Sequence, residues 1–276
     1  MSWLAKLDVD YSVEDQRCVA RHLHEGPLRI LKSLYPEGDA VCHNILVHPP
    51  SGLVGGDELR IGLNLQAHAH ALITTPGATR FYGSDGLTAS QQVQATLADH
   101  ARLEWLPLEA LAYSGCQAHN QVVFKLAPLS QLIAWDITAL GLPHADQPFV
   151  RGQFQQHLEI EGVWLERGCM HADDQRLLRS PLGLNGHSGQ ASLWLAQGSD
   201  MADDERDRVL QLARDVCEAH SLRLQVGVSS PNPRVVVLRV LSDQLEPAVD
   251  LLKKVWLQWR SQVWGMPAVA PRIWAM

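Results

Sequence analysis

Three kinds of residue in this sequence could carry chemistry: histidines and cysteines at ligand-like spacings, carboxylates set in apolar runs, and glycines in proline-rich turns. Of the 13 histidines, His68 and His70 lie two apart in AHAHALI. On a strand that spacing puts both imidazoles on one face, where they suit a divalent ion that takes nitrogen ligands. The plain alternative is an exposed polar face continuing Arg60, Asn64 and Gln66. Cys116 with His119, and Cys169 with His171, each make half a site, because a closed zinc site wants four ligands. Asp136 follows a tryptophan in LIAWDI, and Glu166 sits beside Arg167 in VWLERG. A carboxylate in such a run must find a partner or shift its pKa, which serves acid–base chemistry or a structural ion pair equally well. Gly52, Gly55 and Gly56 do not fit GxxxxGK[ST], and a strand pattern follows Asp57, so no helix N-terminus is offered to a phosphate. Neither GxSxG nor HExxH occurs, which argues against an enzyme.

The elements that would position these residues are mostly strands. Leu59, Ile61, Leu63 and Leu65 alternate with polar residues at a period of two. QQVQATLADHARLEWL reads as strand, Asp-His turn, strand; QVVFKLAPLSQLIAWDI bends at Ala127-Pro128; QFQQHLEIEGVWLER carries a hairpin signal at Glu161-Gly162. First strands begin near residues 59, 91, 121 and 153, a recurrence of roughly thirty that stacked or coiled β architecture produces. The expected fold is mainly β: an elongated, solenoid-like stack of strands and hairpins over residues 1–190. An evenly spaced β-sandwich is the competing architecture. Residues 191–276 are expected to form a small α+β lobe, continuous with the rest. It would hold one helix in DMADDERDRVLQLARDVCEAH and a second in SDQLEPAVDLLKKVWLQWRSQVWG, capped by Ser242 or Asp243. A hairpin turning at SSPNP would lie between them.

Composition narrows the function. The chain has 276 residues, enough for one large core. A net charge of -7 with 23 Lys+Arg argues against nucleic acid. No apolar run is long enough for a membrane span, and MSWLAKLDVDY does not read as a signal peptide. Five cysteines without a CxxC pair suggest reduced thiols and a cytoplasmic protein.

Five segments together carry a resemblance. HPPSGLVGGD (48–57), TTPGATRFYG (74–83), LEWLPLEAL (103–111), WDITALG (135–141) and PAVAPRIW (267–274) are similar, in this order, to signature segments of the UreD (UreH) family of urease accessory proteins. The chain departs from that pattern at GLPHADQPF, at Gly83, and around Cys169 and His171. The resemblance implies a non-enzymatic chaperone that binds UreF and, through it, the GTPase UreG. The assembly would dock on urease apoprotein and deliver nickel, the ion passing through this chain along a polar interior path. It implies no permanently bound cofactor or tightly bound metal; nickel would be transient and GTP would belong to UreG. Asp57, Asp136 and Glu166 match acidic positions assigned to the path or its support, and Arg80 a basic position expected to buttress an acidic residue. His68 and His70 are further candidates for weak metal contacts. Pro49, Pro50, Gly55, Gly56, Pro76 and Gly77 would build two rigid corners at one end of the stack. Trp264 and Trp274 are candidates for a partner contact, whereas Trp256 and Trp259 are expected to pack inward. Two rivals stand beside this reading: a metalloenzyme using His68, His70 and a carboxylate, and a scaffold through which no metal passes.

Overall fold

The computed structural model describes residues 2–50, 52–267 and 269–275, with His144 described by its backbone alone. Ser51 and Ala268, which fall in two of the segments quoted above, lie outside the described residues. The chain opens with an antiparallel pair, β1 (Leu4–Glu14) and β2 (Arg17–Glu25), followed by β3 (Arg29–Leu34), β4 (Cys42–Val47) and the short β5 (Gly52–Leu53). The coil then runs through β6 (Glu58–Leu65), β7 (His70–Thr74), β8 (Thr79–Phe81), β9 (Ala89–Leu97), β10 (Arg102–Trp105), β11 (Ala110–Ala112), β12 (Gln117–Leu126) and β13 (Gln131–Leu142). After β14 (Gln147–Pro148) come the hairpin β15 (Gln153–Ile160) and β16 (Trp164–His171), then a short helix, α1 (Gln175–Arg179). The last part holds β17 (Gly189–Gln197), α2 (Asp203–Glu218), β18 (Val226–Asn232), β19 (Val235–Ser242) and α3 (Leu245–Trp264).

The roughly thirty-residue recurrence is a β-solenoid of about four turns. Strands β6, β9, β12 and β15 lie side by side in one sheet, all parallel. Strands β4, β7, β10 and β13 do the same in the facing sheet. The turns at Asp99-His100 and Ala127-Pro128 therefore carry the chain from one sheet to the other and do not close hairpins; Glu161-Gly162 does close one. Alternation fills the space between the sheets: Leu59, Ile61, Val93, Ala95, Val122, Phe124, Leu158 and Ile160 all point into it.

Strand β13 is apolar on both faces because both faces are covered. Leu132 and Ala134 join the solenoid core, while Ile133, Trp135 and Ile137 join a second core under α2 and α3. Antiparallel pairing of β17 to β13 over nine residue pairs, then of β19 and β18, extends the same sheet into the C-terminal part. Acidic residues Asp203, Asp204 and Glu205 occupy the first turn of α2, where they favour the helix dipole.

Three local expectations are corrected. The hairpin turn falls at Pro233-Arg234, and Ser229–Asn232 belong to β18, because Ser230 Oγ and the Asn232 side chain hold an irregular strand end. The N-cap of α3 is Gln244 without a side-chain bond, since Ser242 Oγ donates to the Gln244 carbonyl instead. His68 and His70 do not share a strand face: His68 sits in the turn before β7, with a left-handed φ of 66°.

Helix α3 is fastened to the solenoid by a buried charge cluster. Arg260 is fully buried and lies 2.6 Å from Glu37 Oε2 and 3.3 Å from Glu104 Oε1. These are ionic contacts, since no guanidinium N–H reaches hydrogen-bond geometry among the described residues. His43 Nε2 contacts Glu37 at 2.6 Å, His70 Nε2 contacts Glu104 at 2.8 Å, and Trp256 Nε1 donates to Glu104 at 2.6 Å. Burial raises the Glu37 pKa, but His43 and Arg260 outweigh it and leave it lowered. Removing one member strands the opposite charges in a dry site. Arg260→Met is therefore expected to lower stability by about 3 kcal/mol in urea unfolding. A loss below about 1 kcal/mol would show that the cluster does not hold the helix.

Candidate functional site

The site grows from a break in the apolar interior. Inward positions at one level of successive coils read Leu59, Gln91, Asn120 and Gln156, each in register with the next. Parallel in-register stacking brings these amides within reach of one another. Gln91 Nε2 donates to Asn120 Oδ1 at 3.2 Å, and Asn120 Nδ2 donates to Asp136 Oδ2 at 3.1 Å. Asp136 comes from β13 in the facing sheet, and alternation points it inward where its neighbour Trp135 points out.

The buried Asp136 carboxylate is fully engaged. Thr138 Oγ1 donates to its Oδ1 at 3.1 Å, and Gln156 Nε2 donates to the same oxygen. Gln190 Nε2 from β17 continues the row to Gln156 Oε1 at 3.1 Å. Desolvation pushes the Asp136 carboxyl up to about 6; the Glu166 charge adds to that, while Thr138, Asn120 and Gln156 pull it down. Glu166 lies opposite Leu158 on the inward side of β16, and Arg239 Nη2 of β19 donates to it at 2.8 Å. Asp136 and Glu166 thus belong to one electrostatic neighbourhood.

Asp57 and Arg80 mark the other end. Asp57 is buried at the corner before β6, where its Oδ2 accepts from the Val54 amide at 3.0 Å. Gly56 supplies the left-handed φ of 91° that this corner needs. A Cβ on Gly55 would sit 2.7 Å from the Leu87 carbonyl oxygen, so only glycine fits. The two proline-rich corners are joined, because Gly52 and Leu53 of β5 pair with Arg80 and Phe81 of β8. Pro49, Pro50, Pro76 and Gly77 are exposed at their tips. Pro76, Gly77, His48, Arg80 and Gln91 line a cavity of about 230 Å³, which connects the corner region to the first amide of the row. Arg80 makes no ion pair with a carboxylate among the described residues, so the expected buttress is not formed.

Other candidates lie elsewhere. His70 is buried against Glu104 and meets the Trp264 ring edge-on, whereas His68 stacks on His100 with ring centroids 4.7 Å apart. His68, His70 and His100 line one cavity, and among the described residues no three His, Cys, Asp or Glu side chains form a group able to hold a metal. Trp256 and Trp259 are buried under α3, and Trp264 is buried as well. Trp274 is half-buried; its Nε1 donates to Thr74 Oγ1 at 2.9 Å. Sequence reading passed over Gln91, Asn120, Gln156 and Gln190. The one available signal was an amide at an inward position in each of three strands.

Among known proteins, the chain matches the family described as "UreD urease accessory protein" over residues 4–275. It is 60% identical, over the whole of both chains, to a urease accessory protein UreD of Albidiferax ferrireducens. Identity is 55% over the whole of both chains to that of Variovorax paradoxus, and 44% over 99% of each chain to that of Methylibium petroleiphilum.

The raised Asp136 pKa has a measurable consequence. Between the ordinary 3.8 and about 6 the folded state binds this proton more tightly than the unfolded state. Stability from this group is therefore present at the acidic end of that window and is lost as pH rises through it. Urea unfolding at a series of pH values should show wild type losing stability relative to Asp136→Asn between pH 3.8 and about 6, then levelling. A difference independent of pH would contradict a desolvated carboxylate.

Proposed function

The chain belongs to the UreD family of urease accessory proteins, and from that premise we propose that it assembles with UreF and UreG on urease apoprotein and supports nickel delivery to the urease active site. It performs no reaction of its own. GTP chemistry belongs to UreG and the lasting metal site to urease, and this chain works where those partners do, in the cytoplasm.

The observation that carries this reading is the interior row from Gln91 through Asn120, Asp136 and Gln156 to Gln190. An ion in transit needs groups that hold it weakly at several points, since a full ligand cage would trap it. Amide oxygens bind a divalent first-row ion poorly, and a single carboxylate with a pKa near neutrality exchanges a proton for a cation at modest cost. Asp57, whose charge acts on cavity-lining His48, and Glu166, whose charge acts on Asp136, supply acidic groups on either side of the row. Arg239 answers Glu166 and keeps it from becoming a deep trap. One observation favours the scaffold alternative: both Asp136 carboxylate oxygens already accept hydrogen bonds inside the protein.

The two readings separate in a co-expression assay with UreF, UreG and urease. Asp136→Ala and Glu166→Ala are each expected to keep UreF in a pull-down and to reduce nickel-dependent urease activation by about tenfold or more. Asp136→Asn, which keeps the volume, guards against loss of folding. Full activation in all three variants would leave the scaffold reading; failure of wild type to bind UreF or to activate urease would remove the assignment.

A further inference from the structure

The cavity beside the paired corners is walled mostly by carbon. Leu28, Leu46, Leu59, Ile61 and Trp105 line it, and each is at most 5% exposed. Two polar side chains break that wall: His48, one residue past the end of β4, and Arg80, in the middle of β8. His48 Nε2 and Arg80 Nε are both buried without a hydrogen-bond partner among the described residues. Buried polar groups are normally paired, so two of them in one cavity point to a ligand that answers both. The contrast with Asp136, whose oxygens accept from three side chains, is internal to the same solenoid.

Charge and size say what kind of ligand. Burial pulls the His48 pKa down, so its ring is neutral near pH 7. The fixed charge of the lining is then one guanidinium, since no Lys, Asp or Glu is among the described lining residues. One carboxylate balances it. Asp57 stands outside the lining, but its charge acts on the His48 ring and so opposes a doubly charged oxyanion. A neutral ring with its proton on Nε2 donates one hydrogen bond, and Arg80 Nε donates a charge-assisted one. Trp3 packs against that ring with centroids 5.0 Å apart, which limits its orientation. At about 230 Å³ the cavity falls below the roughly 300–1,000 Å³ of drug-sized sites, so the ligand has few carbons. Pro76 and Gly77, also in the lining, are exposed, so the cavity reaches the surface.

We propose that this cavity binds a small aliphatic monocarboxylate. Its carboxylate accepts from Arg80 Nε and His48 Nε2, and its hydrocarbon body lies against the leucines, Ile61 and Trp105. Water alone would answer the two donors but leave the apolar wall wet. A carboxylate carrying about two or three methylenes satisfies both parts of the lining. No bond is made or broken in this binding.

Titration calorimetry of the full chain tests this with acetate, butyrate, neutral butyramide and phosphate. Butyrate is expected to bind with a Kd below about 10 mM and about tenfold more tightly than acetate, because two further methylenes leave water. Butyramide has nearly the same shape without the charge and should bind about tenfold more weakly than butyrate. Phosphate should also bind more weakly than butyrate. Arg80→Gln should weaken butyrate binding by about tenfold or more. His48→Phe, which keeps a flat ring and removes the donor, should weaken it by about fivefold. Arg80→Lys keeps the charge and loses the planar fork; it should retain part of the binding and serves if the glutamine variant does not fold. No heat with butyrate, butyramide as tight as butyrate, phosphate tighter than butyrate, or unchanged binding in Arg80→Gln overturns the inference. None of these titrations contains nickel, UreF or UreG, so the result stands or falls apart from the nickel-delivery reading.

Discussion

Parallel, in-register stacking of successive coils is the constraint on which the rest of this molecule depends. Each turn of the solenoid sets the same position of the next turn one strand spacing away, roughly 4.8 Å. A residue type at one inward position is therefore repeated as a row through the whole stack, or interrupts it. At most levels the row is aliphatic and makes the core. At the level of Gln91, Asn120 and Gln156 it is an amide row, and the interior changes character from apolar to polar without any change in backbone path.

A polar row inside a solenoid is tolerable only when its members answer one another. Here the facing sheet supplies the missing partners, Asp136 and Thr138 from β13 and Gln190 from β17. One carboxylate among amides is a poised arrangement. It is buried enough to resist ionisation and bonded enough to survive it, so its charge state responds to what approaches. The outer face of the same strands, with half-buried Gln92, Gln121 and His157, has no such coupling to the interior because alternate residues point away from it.

The facing sheet works on both sides at once. Its inner face closes the polar row, while its outer face carries Trp135 and Leu193 into the core beneath α2 and α3. The buried Arg260 cluster then ties α3 to Glu37 and Glu104 on separate strands or loops, and His43 and His70 contact the same two carboxylates. A helix fastened in this way covers the outer face of the facing sheet over β13, β17 and β19, and aligns β13 from behind. The tail follows the same surface, with Trp274 set against Trp135 and Trp256. The position of Asp136 is therefore held from both directions.

Sequence alone determined the coil and its polarity. Alternation is a property of consecutive residues, so Leu59, Val93 and Ile61 declare their inward face locally, and the roughly thirty-residue recurrence of such runs declares the stack. The corner at Gly55-Gly56-Asp57 was legible for the same reason: turn chemistry is written in neighbours. The paired buried Trp135 and Asp136 were readable as a conflict, one strand demanding two environments. Which distant residues meet was settled by the three-dimensional packing. Asp136 answers Asn120 and Gln156, 16 and 20 residues away in the facing sheet, and Glu166 answers Arg239 at a separation of 73. His70 left its presumed companion His68 for Glu104 once a turn, with its left-handed φ, broke the strand between them. Partners of this kind depend on which coil lands beside which, and a chain read in order carries no local trace of that.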